Sequence, residues 1–151
     1  MLIVPPDLVH TLLEQSRRAY PEECCGALLG YPAEADARVI VRVLAVANER
    51  NEERRTRYLI GPDEFRAADA RARADGLDIV GFYHSHPDHP AVPSEFDRAH
   101  AWPWYAYVIV PVHDGRSGVP RAWRLAEDRS HFQELEIAQR AIEPTPAKEA
   151  S

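Results

Sequence analysis

Residues 78–97 read DIVGFYHSHPDHPAVPSEFD, and the rest of the chain is organised around them. Ile79 to Tyr83 is a short apolar run, the pattern of a buried strand, and it leads into His84 and His86. Successive strand side chains point to opposite faces, so histidines at i and i+2 project from one face and can share an ion. Pro87, Pro90 and Pro93 each lack an N–H and fix their own φ, which keeps the following segment irregular. Ser94 then reads as a helix N-cap, with Glu95 and Asp97 in the first turn. Asp97, one turn in, is able to face back across the loop. Two histidines, a carboxylate and an open fourth position suit a catalytic zinc rather than a closed structural one.

The same residues have plainer readings. Ser94-x-x-Asp97 is also a capping box with Asp in place of the usual Glu, a device common in helices without chemistry. An H-x-H pair alone is a weak metal signal. Joining the pair to Ser and Asp at this spacing is more specific than either part.

Outward from this stretch, Pro5-Pro6-Asp7 begins a helix with Asp7 available as a cap, and Pro21 stops it near Tyr20. Cys25 to Gly30 reads as a buried strand. Residues 31–37 form a turn-like connection, and Arg38 to Ala47 a strand with one wet face. Asn48 to Arg57, NERNEERRTR, is a charged loop, either a solvated connection or a flap beside the site. A short strand at 58–60 precedes a helix that Pro62 opens, running to about Ala74 and ending near Gly76. Beyond the Ser94 helix, strands at Tyr105 to Val110 and Pro120 to Ala126 flank the turn HDGRSG. Residues 132–141 fit both a strand ending near Ile137 and a helix of 3.6-residue period. EPTPAKEAS, residues 143–151, reads as a disordered tail, leaving one domain over residues 1–142. Strands mixed with two long helices and a short one imply an α/β (α+β) sandwich, a curved mixed sheet with helices on its faces.

Composition narrows the function. The 151 residues are 45% hydrophobic and 28% charged, as in ordinary globular domains. A net charge of −6 removes the electrostatic case for nucleic acid or an anionic membrane. No apolar run approaches the roughly 20 residues that span a bilayer. MLIVPPDLVH has no cationic stretch ahead of its apolar one, so a cytoplasmic location is expected. Cys24 and Cys25 are adjacent and point to opposite faces, so a bond between them is strained and small buried packing is the expected role. A zinc nucleobase deaminase needs H-x-E and P-C-x-x-C, and neither occurs. A two-His, one-carboxylate iron oxygenase is allowed by ligand type alone.

H-S-H-P, the seven residues from Pro87 to Pro93, Ser94, two residues and Asp97 match the H-x-H-x7-S-x-x-D signature of a known family. The chain resembles the JAMM (MPN+) zinc metalloproteases, in particular the small bacterial stand-alone type, from about Val9 to Glu136. The family's second element, a glutamate followed by two residues and Gly and entering an apolar strand, is supplied by PEECCGALLG. Glu22 and Glu23 are alike in chemistry, and only the E-x-x-G spacing selects Glu23. The resemblance implies the MPN fold, a curved mixed sheet sandwiched by helices in a cytidine-deaminase-like layout. It implies one Zn²⁺ with a bound water, held by His84, His86 and Asp97. Glu23 would carry the water's proton to the leaving nitrogen, and Ser94 would donate to the oxyanion. The implied substrate is a peptide or isopeptide bond at the C-terminal tail of a ubiquitin-like sulfur-carrier protein, bound extended at a sheet edge. The alternative is a non-catalytic MPN scaffold; such modules generally lack some of the five residues present here. His89 is a bystander in the signature. His10, His100, His113 and His131 read as surface or packing residues, and Trp102, Trp104 and Tyr105 as core, with Trp102 near enough to the Asp97 helix to wall a substrate. Carrier, pathway and oligomeric state stay open.

Overall fold

The computed structural model describes residues 1–47 and 60–142, so the charged loop 48–57, most of the short strand at 58–60 and the tail 143–151 lie outside the described residues. Within them the elements run β1 (Leu2–Val4), α1 (Pro6–Ala19), β2 (Cys25–Pro32), β3 (Arg38–Val46), α2 (Pro62–Ala74), β4 (Asp78–Pro87), α3 (Glu95–His100), β5 (Ala106–His113), β6 (Arg116–Ser117), β7 (Arg121–Leu125), β8 (Phe132–Leu135) and β9 (Ile137–Gln139).

One mixed sheet has the order β8-β7-β5-β4-β2-β3-β1-β9, with β6 on β5. β4 lies near its middle, antiparallel to β2 and parallel to β5. β8 and β9 are consecutive in the chain, separated by Glu136 alone, yet stand at opposite ends of that order. The sheet must therefore curl until its ends approach, and the Leu2 N–H donates to the Glu136 carbonyl at 2.8 Å where they meet. This resolves the ambiguity over residues 132–141 in favour of strands. They are two, because a strand cannot follow the curl past Glu136 and keep one partner.

α1 packs on one face of the sheet, burying Val9 and Leu12 against Leu2, Leu28, Val80, Tyr83 and Val108. Each fully buried aliphatic side chain here contributes about 1.5–3 kcal/mol. α2 packs on the other face through Ala68 and Ala72, one turn apart, against Ala27, Leu29, Ile79 and Phe82. Ile79 and Phe82 share that face although three residues apart, because Leu28 pairs with Gly81 and Leu29 with Ile79, leaving Val80 as the extra residue of a bulge. From Phe82 the alternation is regular. Phe82, His84 and His86 lie on the α2 face, and Tyr83 and Ser85 on the α1 face.

Four expectations need correction. Strand β4 does not end at Tyr83: it stays paired with β5 through Pro87↔Val112, so both histidines are held in the ladder. Asp7 does not cap α1, whose N-cap is Pro5 with no side-chain hydrogen bond; Pro6 starts the helix in its place. Arg38 is not on a wet face. It is 6% exposed and donates to the carbonyl of Val80, the bulge residue, at 3.1 Å. Trp102 and Trp104 are not core, being 64% and 50% exposed; arginines 129 and 38 stack on their rings. They line an open groove with Ile60, Pro62 and Phe65 on the α2 side.

Candidate metal and catalytic site

His84 and His86 are 1% and 7% exposed, and their Nε2 atoms stand 3.1 Å apart. Asp97 reaches them from the first turn of α3, with Oδ1 3.3 Å from His84 Nε2 and Oδ2 3.2 Å from His86 Nε2. What aims Asp97 is the capping box. The Asp97 N–H donates to Ser94 Oγ at 3.0 Å, and the Ser94 N–H donates to Asp97 Oδ2 at 2.8 Å. The capping box of Ser94-x-x-Asp97 is thus present, and it places the Asp97 carboxylate beside both histidines. Ser94 itself is exposed, and accepting from Asp97 leaves its own O–H to donate outward.

The loop between the histidines and α3 is tied down at several points. His86 Nδ1 lies 2.8 Å from the Pro90 carbonyl, the Trp123 Nε1–H donates to the Ala91 carbonyl at 3.0 Å, and the Asp88 N–H donates to Val112. A carbonyl only accepts, so His86 Nδ1 carries a proton.

Glu23 arrives just ahead of the neighbouring strand β2. Cys25 pairs with His84 across β2 and β4, and Glu23, two residues earlier, is 5% exposed with its carboxylate within 4.8 Å of the His84 and His86 ring nitrogens. Glu22 is exposed. The choice that chemistry alone leaves open is thus made by burial. The glycine of the E-x-x-G spacing has a steric reason: a Cβ on Gly26 would lie 2.4 Å from both the Leu44 carbonyl oxygen and the Tyr83 ring.

The donor set fits zinc. Four ligands about 2.0 Å from a tetrahedral ion are separated by about 3.3 Å; the two Nε2 atoms are 3.1 Å apart, and each faces its own Asp97 oxygen, Oδ1 at 3.3 Å from His84 and Oδ2 at 3.2 Å from His86. Full burial keeps the His84 imidazole below its ordinary range, although Asp97 opposes this, so the neutral ring that binds a metal is favoured. Burial alone would raise the Asp97 carboxyl; the His84 and His86 rings and the Ser94 N–H outweigh it and hold the group well below the usual carboxylate range.

Other candidates stand apart. His89 is exposed and sits edge-on to His86 with ring centroids 6.4 Å apart. Burial pushes the Cys25 thiol up to about 12 and raises that of Cys24, so both act as small packing groups and not as thiolates. A second set of metal-ligand types, Asp88, His113 and Asp114, gathers within 4.8 Å on the surface. Nothing in the sequence signalled it, because Asp88 and residues 113–114 meet only through the β4–β5 pairing.

The profile of the prokaryotic homologs of the JAB domain matches residues 5–126, which include Glu23, His84, His86, Ser94 and Asp97. The chain belongs to this family. Among its relatives is the desampylase of Haloferax volcanii, 39% identical over 119 residues and covering 78% of each chain. The CysO-cysteine peptidase of Mycobacterium tuberculosis is 30% identical over 129 residues, 84% of each. A solution structure from Salinibacter ruber is 42% identical, with a TM-score of 0.72 over 95% of this chain and 92% of that one. The JAB1/MPN domain protein of Archaeoglobus fulgidus, at 21% identity, TM-score 0.56 and 92% and 100% coverage, shares the fold. The expected MPN architecture is therefore the one observed for this JAB-domain homolog. No helix among the described residues is long and apolar enough to cross a membrane.

Proposed function

We propose that this JAB-domain homolog is a zinc-dependent hydrolase of a peptide or isopeptide bond at the C-terminal tail of a ubiquitin-like or sulfur-carrier protein. One observation carries the reading: a buried Glu23 carboxylate beside two histidines whose Nε2 atoms, with Asp97, have the spacing of zinc ligands. The desampylase and CysO-cysteine peptidase relatives supply the substrate class. The catalytic unit is a single domain over residues 1–142, and two free thiols suit a reducing cytoplasm.

His84, His86 and Asp97 are the residues that would hold one zinc, with a fourth position left for water. Zinc so bound supplies Lewis acidity, lowering the pKa of water from 15.7 towards ~7 and polarising a carbonyl. Glu23 takes the proton of the attacking water and delivers it to the leaving nitrogen, because an amine leaves poorly until protonated. The Ser94 O–H donates to the oxygen that gains negative charge as the carbonyl is attacked, and serves as donor, not nucleophile. Asp97 is held in place by the Ser94 N–H, and His86 by the Pro90 carbonyl, so neither ring nor carboxylate needs to reorganise. The scaffold alternative has no support in this geometry, since all five residues are present.

The test pairs metal analysis of protein purified without chelator with cleavage of a carrier–amino-acid conjugate. Near-stoichiometric zinc, and cleavage that a chelator stops and zinc restores, are expected. Persistent absence of metal after zinc is supplied would make the protein a scaffold.

A further inference from the structure

Glu23 lies in the short connection between α1 and β2, residues 20–24, whose helix-side turn is closed by the Glu22 N–H donating to the Ala19 carbonyl at 2.9 Å. Two ties bracket it. On its C-terminal side the Cys24 N–H donates to Ser85 Oγ at 2.9 Å and the Ser85 N–H returns to the Cys24 carbonyl at 3.0 Å. On its N-terminal side the Tyr20 O–H donates to Asp88 Oδ2 at 2.7 Å. The ties land on residues 85 and 88, on either side of His86. Asp88 is itself fixed: its N–H donates to the Val112 carbonyl, its Oδ1 accepts from the Asp114 N–H at 3.1 Å, and its backbone is left-handed at φ 58°. Ser85 is fully buried on the α1 face, opposite the histidines.

We propose that these ties form a two-point clamp that sets Glu23 over the histidine pair, with Tyr20, Asp88 and Ser85 as positioning residues. The inference rests on Glu23 being the general base, as read above. A base must come within hydrogen-bond reach of the proton that it moves, and a misplacement of about 1 Å can cost on the order of 10²-fold in rate. The Ser85 tie joins the C-terminal side of the connection to β4, and the Glu22–Ala19 bond closes only the local turn on its other side. The Tyr20 tie closes the other end. The clustering of Asp88, His113 and Asp114 on the surface then has a structural explanation, since both Asp88 oxygens already accept hydrogen bonds.

Tyr20→Phe keeps the ring and removes only the hydroxyl. In the full zinc-loaded chain, assayed on a carrier–amino-acid conjugate, kcat is expected to fall about tenfold with KM and zinc content at wild-type values. In the metal-free protein, amide hydrogen exchange across residues 22–24 is expected to quicken about tenfold without a matching change in β4 or β5. Asp88→Asn tolerates the left-handed backbone and still bonds the Tyr20 hydroxyl, so its kcat should stay within about threefold of wild type. The double variant should be no slower than Tyr20→Phe alone, because Asp88→Asn by itself removes no tie. A Tyr20→Phe protein with wild-type exchange at 22–24, or with kcat indistinguishable from wild type, overturns the clamp. If the wild-type protein itself leaves the conjugate intact, the hydrolase reading fails, and the exchange measurement still judges the clamp.

Discussion

Two clusters of metal-ligand side chains lie at one end of β4, and they differ in almost everything but residue type. Glu23, His84, His86 and Asp97 are each less than 9% exposed, and two of them are aimed, Asp97 by the Ser94 N–H and His86 by the Pro90 carbonyl. In Asp88, His113 and Asp114, the latter two side chains are 81% exposed, and the contacts are 3.4 and 3.7 Å. Solvent surrounds the His113 and Asp114 side chains, whereas protein encloses the first cluster. Chemistry follows burial and orientation, because a low-dielectric setting strengthens every charge interaction within it.

Substitutions can break or sharpen this contrast. His84→Ala or Asp97→Ala should have the largest effect, loss of zinc by metal analysis together with cleavage, since two remaining protein donors do not hold the ion at working concentrations. Retention of stoichiometric zinc in either variant would remove that residue from the ligand set. Glu23→Gln should keep zinc and lose turnover by about 10²–10⁴-fold, the range for general acid–base catalysis. Normal turnover would take Glu23 out of the mechanism. Ser94→Ala should lower kcat by about 10²–10³-fold if its O–H meets the oxyanion; an unchanged kcat would reduce Ser94 to a helix cap. His113→Ala, in the exposed cluster, should leave zinc content and cleavage at wild-type values and shift stability by no more than about 0.5 kcal/mol. Zinc loss there would erase the distinction between the clusters.

Much of this site is legible in the residues because its parts are local. Strand parity puts His84 and His86 on one face, and a capping box turns Asp97 back toward Ser94; both rules act within the stretch from 84 to 97. Other features depend on partners far along the chain. The wet face expected of Arg38 failed because its guanidinium serves the Val80 bulge. The tryptophans expected in the core are exposed because β5 begins at Ala106, after both, so neither Trp102 nor Trp104 enters the sheet.

The sequence by itself determined the ligand types, their shared strand face, the helix start at Ser94 and the alternation of strands and helices, since each follows from backbone periods spanning a few residues. Tertiary structure decided that Glu23 and not Glu22 is buried beside the histidines, that residues 132–139 divide at Glu136 between opposite ends of a curled sheet, and that one cluster of donors is enclosed and the other wet. Those outcomes depend on the register of β2 against β4 and of β4 against β5, and register is settled by which buried faces meet across the whole sheet.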